Sequence, residues 1–274
     1  MKSSRLSVGE KGNREEAYML GAIIGDIVGS VFEWDNHRST DFPLFTQKST
    51  FTDDSVLTFA TAKVILDDLD YAQTYQDFSR RYPGRGYGGN FGRWIYSDNP
   101  QPYNSFGNGS AMRISPVGFA YDNVETTLIE AKRSAEVTHN HPEGIKGAQA
   151  VALAMFRARE KWTFSDIKEE ITTRFGYSLE RTLDQIRPAY QFNETCQGSV
   201  PEAITALLES TSYEDAIRKA ISIGGDSDTI ACTTGGIAQA YYANLPNWIV
   251  NEAKQRLPEE FLEILDRFET RYLM

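Results

Sequence analysis

Three short acidic motifs lie far apart in this chain, each beside a helix candidate rich in apolar and small residues. They are G-D-I-V-G-S-V-F-E from Gly25 to Glu33, F-T-D-D-S from Phe51 to Ser55, and G-G-D-S-D-T from Gly224 to Thr229. A fold that buries these helices buries carboxylates with them, and an apolar core does not accept an unpaired carboxylate. No Lys or Arg lies inside any of the three motifs. If the segments converge, the simplest positive partner is a hard divalent cation. Mg²⁺, Mn²⁺ and Ca²⁺ all favour carboxylate and hydroxyl oxygens. The chain therefore reads as one that folds around a metal site, with two ions favoured over none. A structural Ca²⁺ site is the plainer metal reading, but no EF-hand spacing supports it.

The rest of the pattern is helical. Gly21, Gly25 and Gly29 recur every four residues and share one helix face. Such a stripe costs helix propensity and is tolerable where another helix or a ligand approaches the backbone. Asp26 and Glu33, seven apart, share a face if that helix runs far enough. A second helix is expected from Asp53 or Asp54, with Thr52 as its N-cap. Residues 80 to 110 are dense in Gly, Asn and aromatics and read as loops, with Pro83 to Trp94 either loop or short helix. Helical patterns then resume, with a capping-box signature from Thr163 to Asp166. Pro201 and Pro258 are expected in first helical turns. Strand alternation is scarce and no βαβ rhythm appears. The expectation is one all-α domain of ten or more helices over residues 17–274, after a flexible polar tail of residues 1–16.

Composition narrows the function classes. The 274 residues and 41% hydrophobic content support a sizeable core. A formal net charge of −10 argues against broad nucleic-acid contact, which needs clustered Lys and Arg. It leaves room for a small anion held by backbone N–H groups or metal. No run of eighteen apolar residues suggests a membrane span, and the N-terminus lacks a signal-peptide core. Cys196 and Cys232 form no metal spacing and no disulfide framework. A reduced cytoplasmic monomer is expected.

Individual residues carry alternatives. Thr52, Asp53 and Asp54 offer three oxygens at a helix start, where the dipole favours negative charge. Asp226, Asp228 and Thr229 repeat the arrangement. Either set alone reads equally as an N-cap with first-turn acids. Two caps that each combine an Asp pair with a Thr point jointly to metal. Asp26 either meets metal through a bridging water or caps a turn. Glu33 either contacts water or substrate or lies on the surface. Gly107 to Arg113, G-N-G-S-A-M-R, suits a nest of N–H groups around phosphate oxygens. Its Gly spacing matches neither a P-loop nor a dinucleotide fingerprint. Tyr87, Tyr103 and Phe106 suit stacking on a base or a sugar, or ordinary core. Arg113 pairs with a buried acid or a phosphate. H-N-H-P, from His139 to Pro142, reads as a turn against the substrate region, or as core or cap.

Taken together, these motifs and T-H-N-H resemble the ADP-ribosylglycohydrolase family, whose founding bacterial member reactivates dinitrogenase reductase. The resemblance runs from about Met19 to about Tyr242. It implies a compact, largely orthogonal multi-helix bundle with a dinuclear Mg²⁺ or Mn²⁺ site. It implies release of ADP-ribose from modified protein side chains, arginine preferred over serine or acyl esters. By that resemblance Thr52, Asp53, Asp54, Asp226, Asp228 and Thr229 are metal ligands, and Glu33 and Asp226 are the catalytic candidates. Gly107, Asn108, Gly109, Ser110 and Ala111 match the loop beside the diphosphate and distal ribose, and His139 matches a cleft histidine. Tyr87 and Phe106 join them as substrate-binding candidates on their aromatic character. Ser55 and Ser227 stand where the family often has Thr, and Ser110 where it often has Gly. The implied partner is an ADP-ribosylated protein, with an ADP-ribosyltransferase as a further candidate. A non-catalytic ADP-ribose or toxin-binding immunity protein and a dimetal phosphoester or pyrophosphate hydrolase are the alternatives.

Overall fold

The structure is a computed structural model that describes residues 19–272; the tail of residues 1–16 lies outside them. The described residues form helices and share one hydrophobic core, with a single isolated bridge between Gly107 and Thr195 in place of any sheet. No helix among them is long and apolar enough to cross a membrane.

Two buried helices form the centre. Helix α1 (Leu20–Gly29) is buried at every position, and α13 (Ser227–Tyr242) is buried through Ala240. A helix that is apolar on all sides belongs inside. The two run antiparallel along the glycine stripe. Gly21 faces Gly235 and Gln239, Gly25 faces Ala231, and Gly29 faces Asp228. A Cβ on Gly25 would fall 2.0 Å from the Ala231 carbonyl oxygen, so the backbones touch where only glycine fits. The first-turn N–H of Gly21 donates to Gln239 Oε1 at 2.7 Å, and the Tyr213 hydroxyl donates to the Gly21 carbonyl at 2.7 Å.

This packing sets the C-terminal end of α1 beside the N-terminal end of α13. Helix α2 (Asp53–Asp67) is brought to the same point by Asp26. The buried Asp26 carboxylate accepts from Thr52 N at 3.0 Å, Thr52 Oγ1 at 2.6 Å, Ser55 N at 3.1 Å and Ser55 Oγ. It thus satisfies first-turn donors that a helix otherwise leaves orphaned. Thr52 is the N-cap, as its position predicts, and accepts from Asp54 N. Helix α1 ends at Gly29, so Glu33 stands on the turn beyond it and not on the helix itself.

The other helices close around this centre. They are α3 (Tyr71–Arg81), α4 (Gly89–Ile95), α5 (Gly109–Met112), α6 (Ser115–Ala120), α7 (Val124–Glu136), α8 (Pro142–Arg159), α9 (Phe164–Phe175), α10 (Leu183–Ile186), α11 (Cys196–Leu208), α12 (Tyr213–Ile221), α14 (Asn247–Lys254) and α15 (Glu259–Tyr272). Phe261 of α15 stacks on Phe59 of α2, with ring centroids 4.3 Å apart. Within Pro83 to Trp94 the chain is a loop that ends in α4. Thr163 caps α9 by accepting from Asp166 N. Pro258 directly precedes α15, but Pro201 is not in a first turn. Thr195 caps α11 six residues before it, so the helix begins earlier than the proline suggests and Pro201 lies inside. The stronger start signal was the capping threonine.

Candidate metal centre and cleft

The N-termini of α2 and α13 converge on a cleft with about 900 Å³ of free space, solvent at its mouth included. Its floor is acidic. Ligand oxygens of Asp26, Asp54 and Asp228 lie within 4.8 Å of one another, as do those of Glu33, Asp226 and Asp228. The two trios share Asp228. Asp54, Asp226 and Asp228 are buried, while Asp53 and Glu33 are partly exposed at the cleft.

The hydrogen bonds show what the cluster lacks. Asp226 Oδ2 accepts from Asn108 Nδ2 at 2.6 Å, and Asp54 Oδ2 accepts from Thr229 Oγ1 at 3.3 Å. Asp54 Oδ1 is buried with no partner. Among the described residues no Lys or Arg pairs with any of these carboxylates. Burial, and then the charges of Asp26 and Asp226, hold Asp53 well above the usual carboxylate range. Burial, and then Asp26, Asp53 and Asp226, do the same to Asp54. Asp228 is raised by burial and by Asp226, Asp54 and Glu33. Burial and the neighbouring Asp226 push Glu33 up to about 7. Like charges crowded in a dry site require a cation or protons. An all-oxygen donor set with an orphaned carboxylate oxygen fits hard divalent ions.

The sequence candidates divide by position. Asp53, Asp54, Asp226, Asp228 and Thr229 line the cleft, as do Glu33, Gly107, Asn108, Gly109 and His139. Thr52 is outside the lining, and its hydroxyl is committed to Asp26 and to Asp54 N. Asp26 is the cap of α2 as well as a member of one trio. Four substrate candidates do not reach the lining. Tyr87 faces a separate hollow with Pro83 and Ile95, and its hydroxyl donates to the Tyr82 carbonyl. Phe106 points outward and packs edge-on against His141. Ser110 is buried and donates to the Gly144 carbonyl at 2.7 Å, and Ala111 is buried in the core. The G-N-G-S-A-M-R segment folds into the single turn α5 and not into an open nest. Asn108 N donates to Glu194 O, while Ala111 N and Met112 N donate to Asn108 O. His141 caps α8 by accepting from Glu143 N at 3.1 Å.

Other lining residues carried no sequence signal. Phe192 and Glu194 come from the connection before α11, which pairs with residues 106–108 through Cys196 N to Phe106 O at 2.9 Å. Trp34 stacks on Phe192, with centroids 5.1 Å apart and 13° between planes. In sequence it is only the start of a polar run.

Comparisons with known proteins identify the family. The family described as ADP-ribosylglycohydrolase matches residues 10–273. The chain is 26% identical to "ADP-ribosylhydrolase ARH3" of Mus musculus, over 94% of this chain and 88% of that one. It is 26% identical to "ADP-ribosylarginine hydrolase Tri1" of Pseudomonas putida (strain GB-1), over 93% of this chain and 78% of that one. A solved "ADP-ribosylglycohydrolase-related protein complex" has the same fold, with a TM-score of 0.71 at 22% identity, over 94% of this chain and 96% of that one. With a family match over nearly its whole length, the chain belongs to the ADP-ribosylglycohydrolase family of hydrolases.

Proposed function

We propose that this protein uses two divalent ions, Mg²⁺ or Mn²⁺, to release ADP-ribose from ADP-ribosylated protein side chains, arginine before serine. The observation that carries the reading is the pair of carboxylate trios sharing Asp228 at the floor of the cleft. Asp54, Asp226 and Asp228 would hold the ions with Asp53 and Thr229, while Asp26 keeps the α2 terminus in place. When bound, such ions orient and activate water and offset charge on a leaving group.

In the reaction, water oxygen bonds to ribose C1″ as the bond from C1″ to the side-chain nitrogen breaks. The bonding pair leaves with nitrogen, which takes up a proton. Glu33 stands on the turn at the cleft edge and belongs to the second trio. We assign it to proton transfer with the attacking water or the leaving atom, which requires hydrogen-bond reach to either. Asn108 holds the Asp226 carboxylate through its hydrogen bond to Oδ2.

The cleft mouth favours a guanidinium acceptor. Trp34 is 81% exposed and stacks on Phe192, which lines the cleft. Glu194 lines the same cleft. Aromatic faces attract guanidinium, and carboxylates pair with it. A serine hydroxyl gains neither. The similarity to a relative named for ADP-ribosylarginine supports the same choice.

The test offers the purified full chain, with Mg²⁺ or Mn²⁺, arginine- and serine-ADP-ribosylated substrates. The expected result is intact ADP-ribose, released faster from arginine. Faster release from serine would overturn the acceptor assignment. AMP would indicate pyrophosphate attack, and no product would refute hydrolysis.

A further inference from the structure

The cleft lining holds a buried cation with no acid beside it. Arg113, at the C-terminal end of α5, is fully buried, and among the described residues no carboxylate pairs with it. Its guanidinium lies over the Tyr75 ring, 4.4 Å from the centroid. Its Nη2 donates to the Ser134 carbonyl at 2.8 Å and to Thr138 Oγ1 at 2.9 Å. Nε and Nη1 have no hydrogen-bond partner. Of the two expected partners, an acid or a phosphate, no acid pairs with Arg113 among the described residues, and its hydrogen bonds lead to a histidine.

Thr138 Oγ1 lies 2.7 Å from His139 Nδ1, and both residues are buried. The direction of that bond follows from counting protons. A guanidinium only donates, so Thr138 Oγ1 is the acceptor from Arg113. The hydroxyl has one proton of its own, and His139 Nδ1 is its other partner. If Nδ1 carried a proton and donated to Oγ1, the hydroxyl proton would be stranded in a dry site, a costly state for a buried donor. Nδ1 therefore accepts, and the neutral ring carries its proton on Nε2. The Nε2 edge faces the cleft between two glycines. A Cβ added at Gly107 or Gly109 would meet Nε2 at 3.4 or 3.3 Å.

We propose that Arg113 and Thr138 are positioning residues that hold His139 as its neutral Nε2–H tautomer, so that the ring presents a hydrogen-bond donor to an acceptor oxygen of the cleft ligand. The buried charge of Arg113 also disfavours the imidazolium. Burial and Arg113 together hold His139 well below the usual histidine range. Use of that donor in turnover rests on the hydrolase reading above, whereas the tautomer does not.

The chain has only three histidines, which suits ring-nitrogen NMR on the uniformly ¹⁵N-labelled full chain. His139→Gln identifies the His139 signals. The expected wild-type spectrum at neutral pH shows Nδ1 unprotonated and Nε2 protonated. Thr138→Val removes the hydroxyl at nearly constant shape, and should release His139 into a tautomer mixture. It should also weaken binding of free ADP-ribose about tenfold, the scale of one lost hydrogen bond. Thr138→Ser should restore both. A wild-type Nδ1–H tautomer or an imidazolium overturns the proposal without any variant. So does a folded Thr138→Val protein with an unchanged tautomer. Absence of turnover on every ADP-ribosylated substrate, with the Nε2–H spectrum intact, would refute the hydrolase reading alone.

Discussion

Replacing Gly29 by Ala should damage the metal site through the backbone, without touching a ligand side chain. A Cβ at Gly29 would fall 2.4 Å from Asp228 Cα and 2.8 Å from both Asp228 N and Ser227 O. Ordinary contact begins near 3.4 Å, so the α1–α13 seam must open by about 1 Å. Every obstacle is main chain, and none has a rotamer to swing away. Overpacking of this kind costs roughly 1–3 kcal/mol, and the better helix propensity of Ala returns at most about 1 kcal/mol. The net loss of about 0–2 kcal/mol corresponds to a melting point lower by up to about 8 °C in a domain of this size. The larger effect should be on metal. Asp228 belongs to both trios, and Mg²⁺ requires oxygens at about 2.0–2.1 Å in a strict geometry. A ligand displaced by about 1 Å should cost at least about tenfold in affinity, and turnover about 10²-fold. Gly25→Ala is the control. Its clash at 2.0 Å with the Ala231 carbonyl is worse, but lies one turn away from Asp228. Calorimetric melting and titration with Mn²⁺ read both variants. A Gly29→Ala protein that melts at or above the parent and binds Mn²⁺ equally well would refute the reasoning.

Glu33→Gln should keep fold and metal content but lower kcat by about 10² or more, as removal of a positioned acid–base group does; parental turnover would remove Glu33 from the mechanism. Asp54→Asn and Asp228→Asn should each lower bound metal as measured by elemental analysis, and full occupancy in the double variant would exclude both as ligands. Stability should depend on pH in opposite ways with and without metal. In the metal-free protein, Asp53, Asp54 and Asp228 are raised above their unfolded values, so their contribution is present at low pH and lost as pH rises through the folded values. Metal binds the ionised form, so the gap between loaded and metal-free melting points should widen from pH 5.5 to 7.5. A gap that narrows over that range would count against the cluster as the metal site. Trp34→Ala should raise KM for an arginine-linked substrate more than for a serine-linked one, and equal effects would remove the aromatic pair from acceptor choice.

The acidic motifs were legible because carboxylates beside apolar helices are costly wherever the chain goes. Their convergence could be argued before any contact was known. Helical periodicity identified the class, and Thr52 announced the start of α2 through ordinary capping chemistry. The glycine stripe announced a close approach, but not its partner. That α13 meets Gly21, Gly25 and Gly29 is a matter of chain path across some two hundred residues. Local sequence also left open which way loop side chains point. Tyr87 and Phe106 sit in a Gly-rich and Asn-rich setting that suits binding, yet both face away from the cleft. Trp34 and Phe192 stack only because two distant loops meet. Pro201 misled because proline is tolerated at several helix positions, and the cap at Thr195 had precedence. The sequence alone determined the chemical character of the site, since that depends on residue type and on the cost of burying charge. Tertiary structure decided the rest: that Asp26 ties α1 to α2, that Arg113 reaches Thr138 and not an acid, and which edge of His139 faces the ligand. Those facts depend on distances of about 3 Å between segments, and hydrogen bonds of that length have no counterpart in linear spacing.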